Sequence, residues 1–369
     1  MSRIFICLTL LLSLSKGSSQ HHPPPMKIGV VGLVHTHVHW ILNRVADGDF
    51  ELAGIAESNR ELAKRYLKQY NLPMSLVYPT IEEMVDQTKP QAVTAFNTIR
   101  DHLKVVEICA PRGIHVMVEK PLAVNLDHAR KMVELARQYD IHLLTNFETT
   151  WYGSNHHTLK LLQEEAETFG PIRKMVVHDG HPGPQEIGVD AEFLEWLTDP
   201  YWNGAGALTD FGCYGANLST WLHQGTKPLK VFAVTQQIKP KIYPKVDDEA
   251  TIILTYPESQ TIIQASWNWN YNRKDMEVYT KNGYLHSLNS RDMSIMRNEK
   301  EGALGLEAPA LHHPRHDPFA YLMAVIRGDI KPLPSDLSSL ENNLTVMEIL
   351  EAAKISAKEG RVVELSELD

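Results

Sequence analysis

The 369-residue chain has little cysteine: Cys7, Cys109 and Cys213 are the only three. Cys7 falls in a segment that reads as removed, so the remaining pair cannot supply a disulfide framework or a multi-cysteine zinc site. Basic runs are missing as well. The 36 Lys+Arg are dispersed among 45 Asp+Glu, for a formal net charge of −9, and nothing in that pattern neutralises a line of phosphates, which excludes nucleic acid as a partner. Beyond the first residues there is no apolar run of membrane-spanning length and no internal repeat. What remains is ordinary globular composition, 43% apolar, at a length that divides into two domains.

The amino terminus reads as an address. Arg3 gives the positive start, Ile4 to Leu14 is an apolar run of secretory length, and Gly17-Ser18-Ser19 offers a cleavage site, so residues 1–19 are expected to be a signal peptide. His21-His22-Pro23-Pro24-Pro25 makes residues 20–25 a stiff spacer. Without a twin-arginine pair, and with Cys7 too early for lipoprotein processing, simple export to the periplasm or medium is the expectation.

From Met26 short apolar strands alternate with amphipathic helices. Ile28–Gly32, Leu52–Ala56, Ala92–Phe96, Val116–Val118 and Leu143–Leu144 read as strands. Residues 103–110 and 126–139 read as helices, and Ser58/Glu61 and Thr80/Glu83 have capping-box spacing. The fold class is α/β: a Rossmann-type, doubly wound parallel sheet over 26–146. After Asn146 the pattern changes. A helix to Phe169 is followed by strand-like runs at 172–177, 231–237, 251–256, 261–269 and 277–280. These predict an α+β domain over 147–317 with a mostly antiparallel open sheet, whose second face is free for a homodimer or homotetramer. Helical periodicity returns in 318–369, expected to pack back on the core.

The turn after the first strand, Gly32-Leu33-Val34-His35-Thr36-His37, retains one of the three glycines of a dinucleotide fingerprint; Val34 and His37 occupy the other two positions. Glu57, 25 residues beyond Gly32, ends the second strand where a ribose diol is held. Further on, Asn97, His102 and Gly113-Ile114-His115-Val116-Met117-Val118-Glu119-Lys120-Pro121-Leu122-Ala123, followed by Gly204-Ala205-Gly206-Ala207-Leu208-Thr209-Asp210-Phe211-Gly212-Cys213-Tyr214, resemble the Gfo/Idh/MocA family of glucose-fructose oxidoreductase and inositol dehydrogenase-like proteins. The resemblance extends over the chain after the leader. It implies NAD as cofactor, with NADP open because Arg60 lies near Glu57, and a contact set of Gly32, Val34, His35, Glu57, Asn97, His102, Glu119, Lys120 and Pro121. It places Lys120 beside nicotinamide and substrate, before a proline whose bond is often cis.

Two features depart from the family pattern. Where many members carry aspartate and then histidine four residues on, this chain has Asp210 and Tyr214, one helical face apart. A phenol titrates near ~10 and acts as a base at neutral pH only if a neighbour such as Lys120 lowers it. The second is His35, His37 and His39. On a strand they would align as a metal cluster, but in a turn entering a helix they are expected to scatter, so no metal is expected. His178–Pro184 is expected to be a loop over the cleft with His181 as substrate ligand. Trp267, Trp269 and Tyr271 alternate as one strand face, better suited to sheet core or a subunit contact than to sugar stacking, and Asp247-Asp248-Glu249 reads as a solvated turn.

The chemistry implied is hydride transfer from a sugar or cyclitol, with Lys120, Asp210 and Tyr214 catalytic, and with His181, Asp210 and Tyr214 contacting the substrate. Export requires a cofactor that stays bound. A redox-neutral, NAD-dependent glycoside hydrolase and a cofactor-less carbohydrate-binding protein are the two alternatives, the latter favoured by Val34.

Overall fold

The computed structural model describes residues 25–368; the expected signal peptide and most of the expected spacer, with Cys7, His21 and His22, lie outside them. Six strands, β1 (Met26–Val31), β2 (Phe50–Ala56), β3 (Val77–Tyr78), β4 (Ala92–Ala95), β5 (His115–Glu119) and β6 (Leu143–Asn146), form a parallel sheet in the order β3-β2-β1-β4-β5-β6. The order reverses between β1 and β4, which leaves a crevice beyond their carboxyl ends. Helices cover both faces. Thr80 caps Ile81–Thr88 by accepting the Glu83 amide at 3.1 Å, as its spacing predicts. The helix Arg60–Gln69 instead starts one residue later than expected: Asn59, not Ser58, accepts from Leu62, because the Glu57 carboxylate holds the Asn59 amide at 2.8 Å.

The second sheet contains β7 (Ile172–Gly180), β8 (Lys230–Gln236), β9 (Glu249–Thr255), β10 (Gln260–Ser266), β11 (Arg273–Thr280), β12 (Tyr284–Ser287), β13 (Asp292–Met296), β14 (Leu304–Glu307) and β15 (Val363–Glu364). They run β14-β13-β12-β11-β7-β10-β9-β8-β15, parallel between β7 and β10 and antiparallel elsewhere. One face is sealed by the wholly buried helix Gly212–Leu222. Gly215 permits that seal, since a Cβ there would stand 2.5 Å from Ile263 Cγ2. The opposite face keeps Phe232, Ile253 and Ile262 half-buried and Val234 exposed.

Three sequence expectations change here. β7 runs through His178 and Asp179 to Gly180, so the expected loop begins only at His181. β10 ends at Ser266, the Trp267 amide adding one last bond to the Asp248 carbonyl of the neighbouring strand's lead-in at 2.8 Å; Trp267 is buried while Tyr271 is exposed, so the aromatic row does not share a face. The acidic run is not a solvated turn. Asp248 is fully buried and accepts the Ile238 and Lys239 amides, and Asp247 accepts those of Gly206 and Leu208 at 2.8 and 2.7 Å. Carboxylates satisfy several orphan amides at once, which is why buried loops recruit them.

The tail closes the first domain. Helix Pro318–Arg327 buries Tyr321, Leu322 and Val325 against Ala92, Met117 and Leu144 of the parallel sheet. Helix Leu340–Glu359 packs on both β8 and the first-domain helix Leu126–Gln138. No described helix is long and apolar enough to cross a membrane.

Candidate active site

The crevice beyond β1, β2 and β4 is a groove of about 340 Å³ lined by Gly32, Val34, Glu57, Ser58, Thr80 and Asn97 among others. Gly32 has φ +77°, and a Cβ there would press 2.8 Å from the Asn97 Cα, so the retained glycine is sterically required. Glu57 accepts the Leu33 amide at 3.1 Å as well as that of Asn59; burial pushes its carboxyl up despite those bonds. Asn97 Oδ1 is buried without a partner. The Val34 and His35 amides both donate to the Phe96 carbonyl, at 3.1 and 3.0 Å, so these two amides point into the fold while Val34 itself still lines the groove. His102 is fully buried behind it, with Nδ1 on the Leu122 carbonyl at 3.1 Å.

Lys120 follows β5 at a cis peptide bond to Pro121. Its Nζ reaches into the second domain and meets Asp210 twice, at Oδ1 (2.5 Å) and at the backbone carbonyl (3.0 Å). Asp210 is presented at the end of a short helix, Ala207–Asp210, that breaks at Phe211 before Gly212–Leu222, so Asp210 and Tyr214 do not lie on one continuous helix. Trp267 Nε1 donates to the other carboxylate oxygen at 3.0 Å. Burial pulls the Lys120 ammonium down, but Asp210, Cys213 and Glu119 outweigh it and raise it; burial pushes Asp210 up, but Lys120, His181 and Trp267 hold it below the usual range. The pair is therefore ionised. Tyr214, 1% exposed, presents its ring 5.1 Å from Lys120 Nζ. Burial, with Glu148, Cys213, Asp210 and Glu119, drives its phenol well above the ordinary value. Lys120 does not lower it, and Tyr214 is a donor.

Against expectation, His35 and His37 do not scatter. His35 is buried, edge-on to Phe193 and near Trp196 of the second domain. His37 Nδ1 donates to Glu119 Oε2 (2.9 Å), Asn146 Nδ2 donates to Oε1 (2.7 Å), and the His37 ring stacks on Trp40. Ring nitrogens of His35 and His37 come within 4.8 Å of each other and of Glu119, a metal-like spacing that sequence reading did not foresee. His39 turns away to Tyr70 and Asp190.

Beside this cluster lies a cavity of about 590 Å³ whose walls include Glu148, Tyr152, His181, Arg273, Lys274, Asp275 and His286. His181 lies at its inner end against Phe211, its Nδ1 accepting the Gly183 amide at 2.9 Å; burial lowers it to about 4. Lys120, Asp210 and Tyr214 stand behind His181 and Lys274 rather than in the cavity wall, with Lys274 Nζ 5.2 Å from the Tyr214 ring. Lys274 pairs with Glu148, and Asp275 with Arg273 and His178. Sequence reading found His181 and missed the rest of this wall, whose only signal was the consecutive charges Arg273-Lys274-Asp275 at the start of β11.

Residues 26–147 match the family model for the Gfo/Idh/MocA oxidoreductases with an NAD-binding Rossmann fold, and residues 160–286 match the model of that family's carboxyl-terminal domain. The chain belongs to the Gfo/Idh/MocA family. Among curated proteins it is similar to trans-1,2-dihydrobenzene-1,2-diol dehydrogenase of Sus scrofa, 23% identical over 63% of this chain and 65% of that enzyme, and of Xenopus laevis, 26% identical over 59% and 61%. The match thus spans somewhat under two thirds of those relatives. Among solved structures it shares the fold of an aldose-aldose oxidoreductase from Caulobacter crescentus (TM-score 0.77, 21% identity, 92% of this chain and 99% of that one). It shares it also with an inositol dehydrogenase homolog complexed with NAD+ from Azotobacter vinelandii (TM-score 0.76, 18%, 92% and 97%).

The groove fits the family's dinucleotide at its ribose end. The unpartnered Asn97 Oδ1, the Gly32 cradle and the Glu57 carboxylate offer acceptors and room there. Where the fingerprint has its second glycine, the Val34 side chain lines the groove instead.

Proposed function

We propose that this Gfo/Idh/MocA member is an exported NAD(P)-dependent oxidoreductase acting on an alcohol of a neutral sugar, cyclitol or glycoside. The observation that carries the reading is the buried Lys120–Asp210 ion pair, one partner from each domain, between the nucleotide groove and the second-domain cavity. When bound, the nicotinamide supplies a hydride acceptor; Gly32, Glu57 and Asn97 hold its adenosine side. The protein's own part is electrostatic. Lys120, fixed as a cation, stabilises the negative charge that develops on the substrate oxygen in a site shielded from water. Asp210 keeps that cation charged, and Trp267 keeps Asp210 in place. Tyr214 and the Nε2 side of His181 orient hydroxyls.

The cavity has the size of a small-molecule site. Its acids and bases already neutralise one another, Glu148 by Lys274 and Asp275 by Arg273 and His178. Such a lining offers many hydrogen bonds and little net charge, which suits a neutral polyol better than a phosphorylated one. Export rests on the Arg3, Ile4–Leu14 and Gly17-Ser18-Ser19 pattern, and association into a dimer or tetramer on the half-exposed sheet face around Ile253 and Ile262.

The test is to denature purified protein, assay the released cofactor by absorbance and mass, and then follow NADH with myo-inositol, D-glucose and D-xylose. Bound nicotinamide with net NADH supports the reading. Glycoside cleavage without net NADH assigns redox-neutral hydrolysis instead, and protein that binds neither NAD nor NADP leaves the carbohydrate-binding alternative.

A further inference from the structure

Oxidation of an alcohol needs a group that takes the hydroxyl proton, and the expected candidates are spent. Lys120 is locked as a cation on Asp210. Tyr214 keeps its proton, as its burial dictates. Asp179, 1% exposed, has both carboxylate oxygens buried without a partner, and burial raises it well above the usual range, so it is an acid rather than a base. Glu148 is held by Lys274 and Tyr152.

The histidines are sorted by their hydrogen bonds. His35 Nδ1 accepts the His37 amide at 3.1 Å, and His181 Nδ1 accepts the Gly183 amide at 2.9 Å. A ring that accepts at Nδ1 carries its proton at Nε2, so both present a donor to the site. His37 is the reverse case. Its Nδ1 faces Glu119, a fully buried carboxylate; burial pushes that group up, yet His37, His35 and the bond from Asn146 hold it down at about 2. An ionised acceptor places a proton on His37 Nδ1, so the neutral form of the ring has its lone pair on Nε2. The same bonds argue against a metal, since His35 offers a proton where a ligand needs a lone pair.

We propose that His37, oriented by Glu119, is the base that accepts the substrate's hydroxyl proton. This rests on the oxidoreductase reading above. The oxygen–hydrogen bond breaks toward His37 Nε2, the freed pair closes the carbonyl, and the carbon's hydride leaves to oxidised NAD. The turn after β1 thereby supplies a histidine where Tyr214 stands in place of the family's helical one. The ring is both accessible and held: the His37 side chain is 18% exposed and stacks on Trp40 at 4.0 Å. The charged and titratable groups around it are Glu119 on β5, His35 in its own turn, Lys120 next to Glu119, and Glu148 with its partner Lys274. Glu119 is the positioning residue and His37 the catalytic one.

The experiment uses full-length mature protein with ¹⁵N-labelled histidine and bound NAD. Long-range proton–nitrogen spectra at neutral pH are expected to show, besides the Nδ1-protonated ring of His102 on its carbonyl, a ring protonated at Nδ1 with a bare Nε2 that is absent in His37→Gln and turned into a tautomer mixture by Glu119→Gln. His35 shows the opposite tautomer. A His37 ring protonated at Nε2, or one indifferent to Glu119→Gln, overturns the dyad. With NAD affinity by calorimetry confirming that His37→Gln is folded, its kcat on the polyol among myo-inositol, D-glucose and D-xylose that the native protein oxidises falls by ~10²- to 10⁴-fold and is partly rescued by added imidazole. An unchanged kcat overturns the base role. Native protein that holds NAD but oxidises none of the three overturns the redox reading and the base role with it, while the spectra still decide the dyad.

Discussion

The indole of Trp267 donates to one oxygen of the Asp210 carboxylate at 3.0 Å while Lys120 takes the other at 2.5 Å. Two donors from different elements thus fix a carboxylate that is 4% exposed. Breaking a buried pair leaves its partner uncompensated, at a cost of about 3–5 kcal/mol. Asp210→Asn is therefore expected to lose stability of that order in urea unfolding at pH 7. The double variant Lys120→Met/Asp210→Asn should recover part of it, since no unpaired charge remains; a double variant no more stable than Asp210→Asn would show that packing rather than charge is at stake.

Tyr214→Phe removes one neutral donor and almost no volume. Its fold and cofactor content should match those of the native chain, and kcat/KM on the active polyol should fall about fivefold, the worth of one hydrogen bond of about 1 kcal/mol. A drop of a thousandfold or more would return to the phenol the proton-transfer role that its burial argues against.

Asp247→Ala removes the acceptor of the Gly206 and Leu208 amides, which carry the chain into Asp210. Hydrogen bonds to a charged group contribute about 1.5–3 kcal/mol each, so a loss near the lower end of their sum is expected in thermal or urea unfolding. Activity should suffer beyond it, because Asp210 loses its platform. A surface turn would tolerate the change with no measurable loss of stability.

Glu119 gives a pH signature. Its carboxyl lies at about 2 in the folded chain against an ordinary 4.5, so it binds fewer protons folded than unfolded. The stability it contributes is complete above about pH 4.5 and is lost as the pH falls toward 2. Urea unfolding at pH 3 and pH 6 should show a smaller difference for Glu119→Gln than for the native chain. An equal difference in both would place the carboxylate outside any buried network.

The parallel sheet was legible because its strands are short apolar runs separated by amphipathic helices, and Lys120, Asp210 and Tyr214 were legible because they stand in recognisable strings. Other features depend on partners distant in sequence. Nothing local distinguishes Asp247 and Asp248 from a solvated turn until the Gly206 and Ile238 amides arrive to be bound. β3, two residues long, and β12 to β14, four or five residues each, are too short for their pattern to stand out. His35 and His37 were expected to diverge as on an ideal helix, but the chain stays a turn until Val38, and Glu119 and Phe193 from other elements gather the rings.

Residues 319–325 fill the face of a sheet whose strands end at Asn146. On the ribosome, the nucleotide-binding half must therefore wait, its strands already synthesised, until nearly the whole polypeptide has emerged. Ala92, Met117 and Leu144 lack their final cover during that interval. A chain cut short before Pro318 would carry every residue of the parallel sheet and still leave β4, β5 and β6 uncovered on one face, so a late truncation strikes the earliest domain.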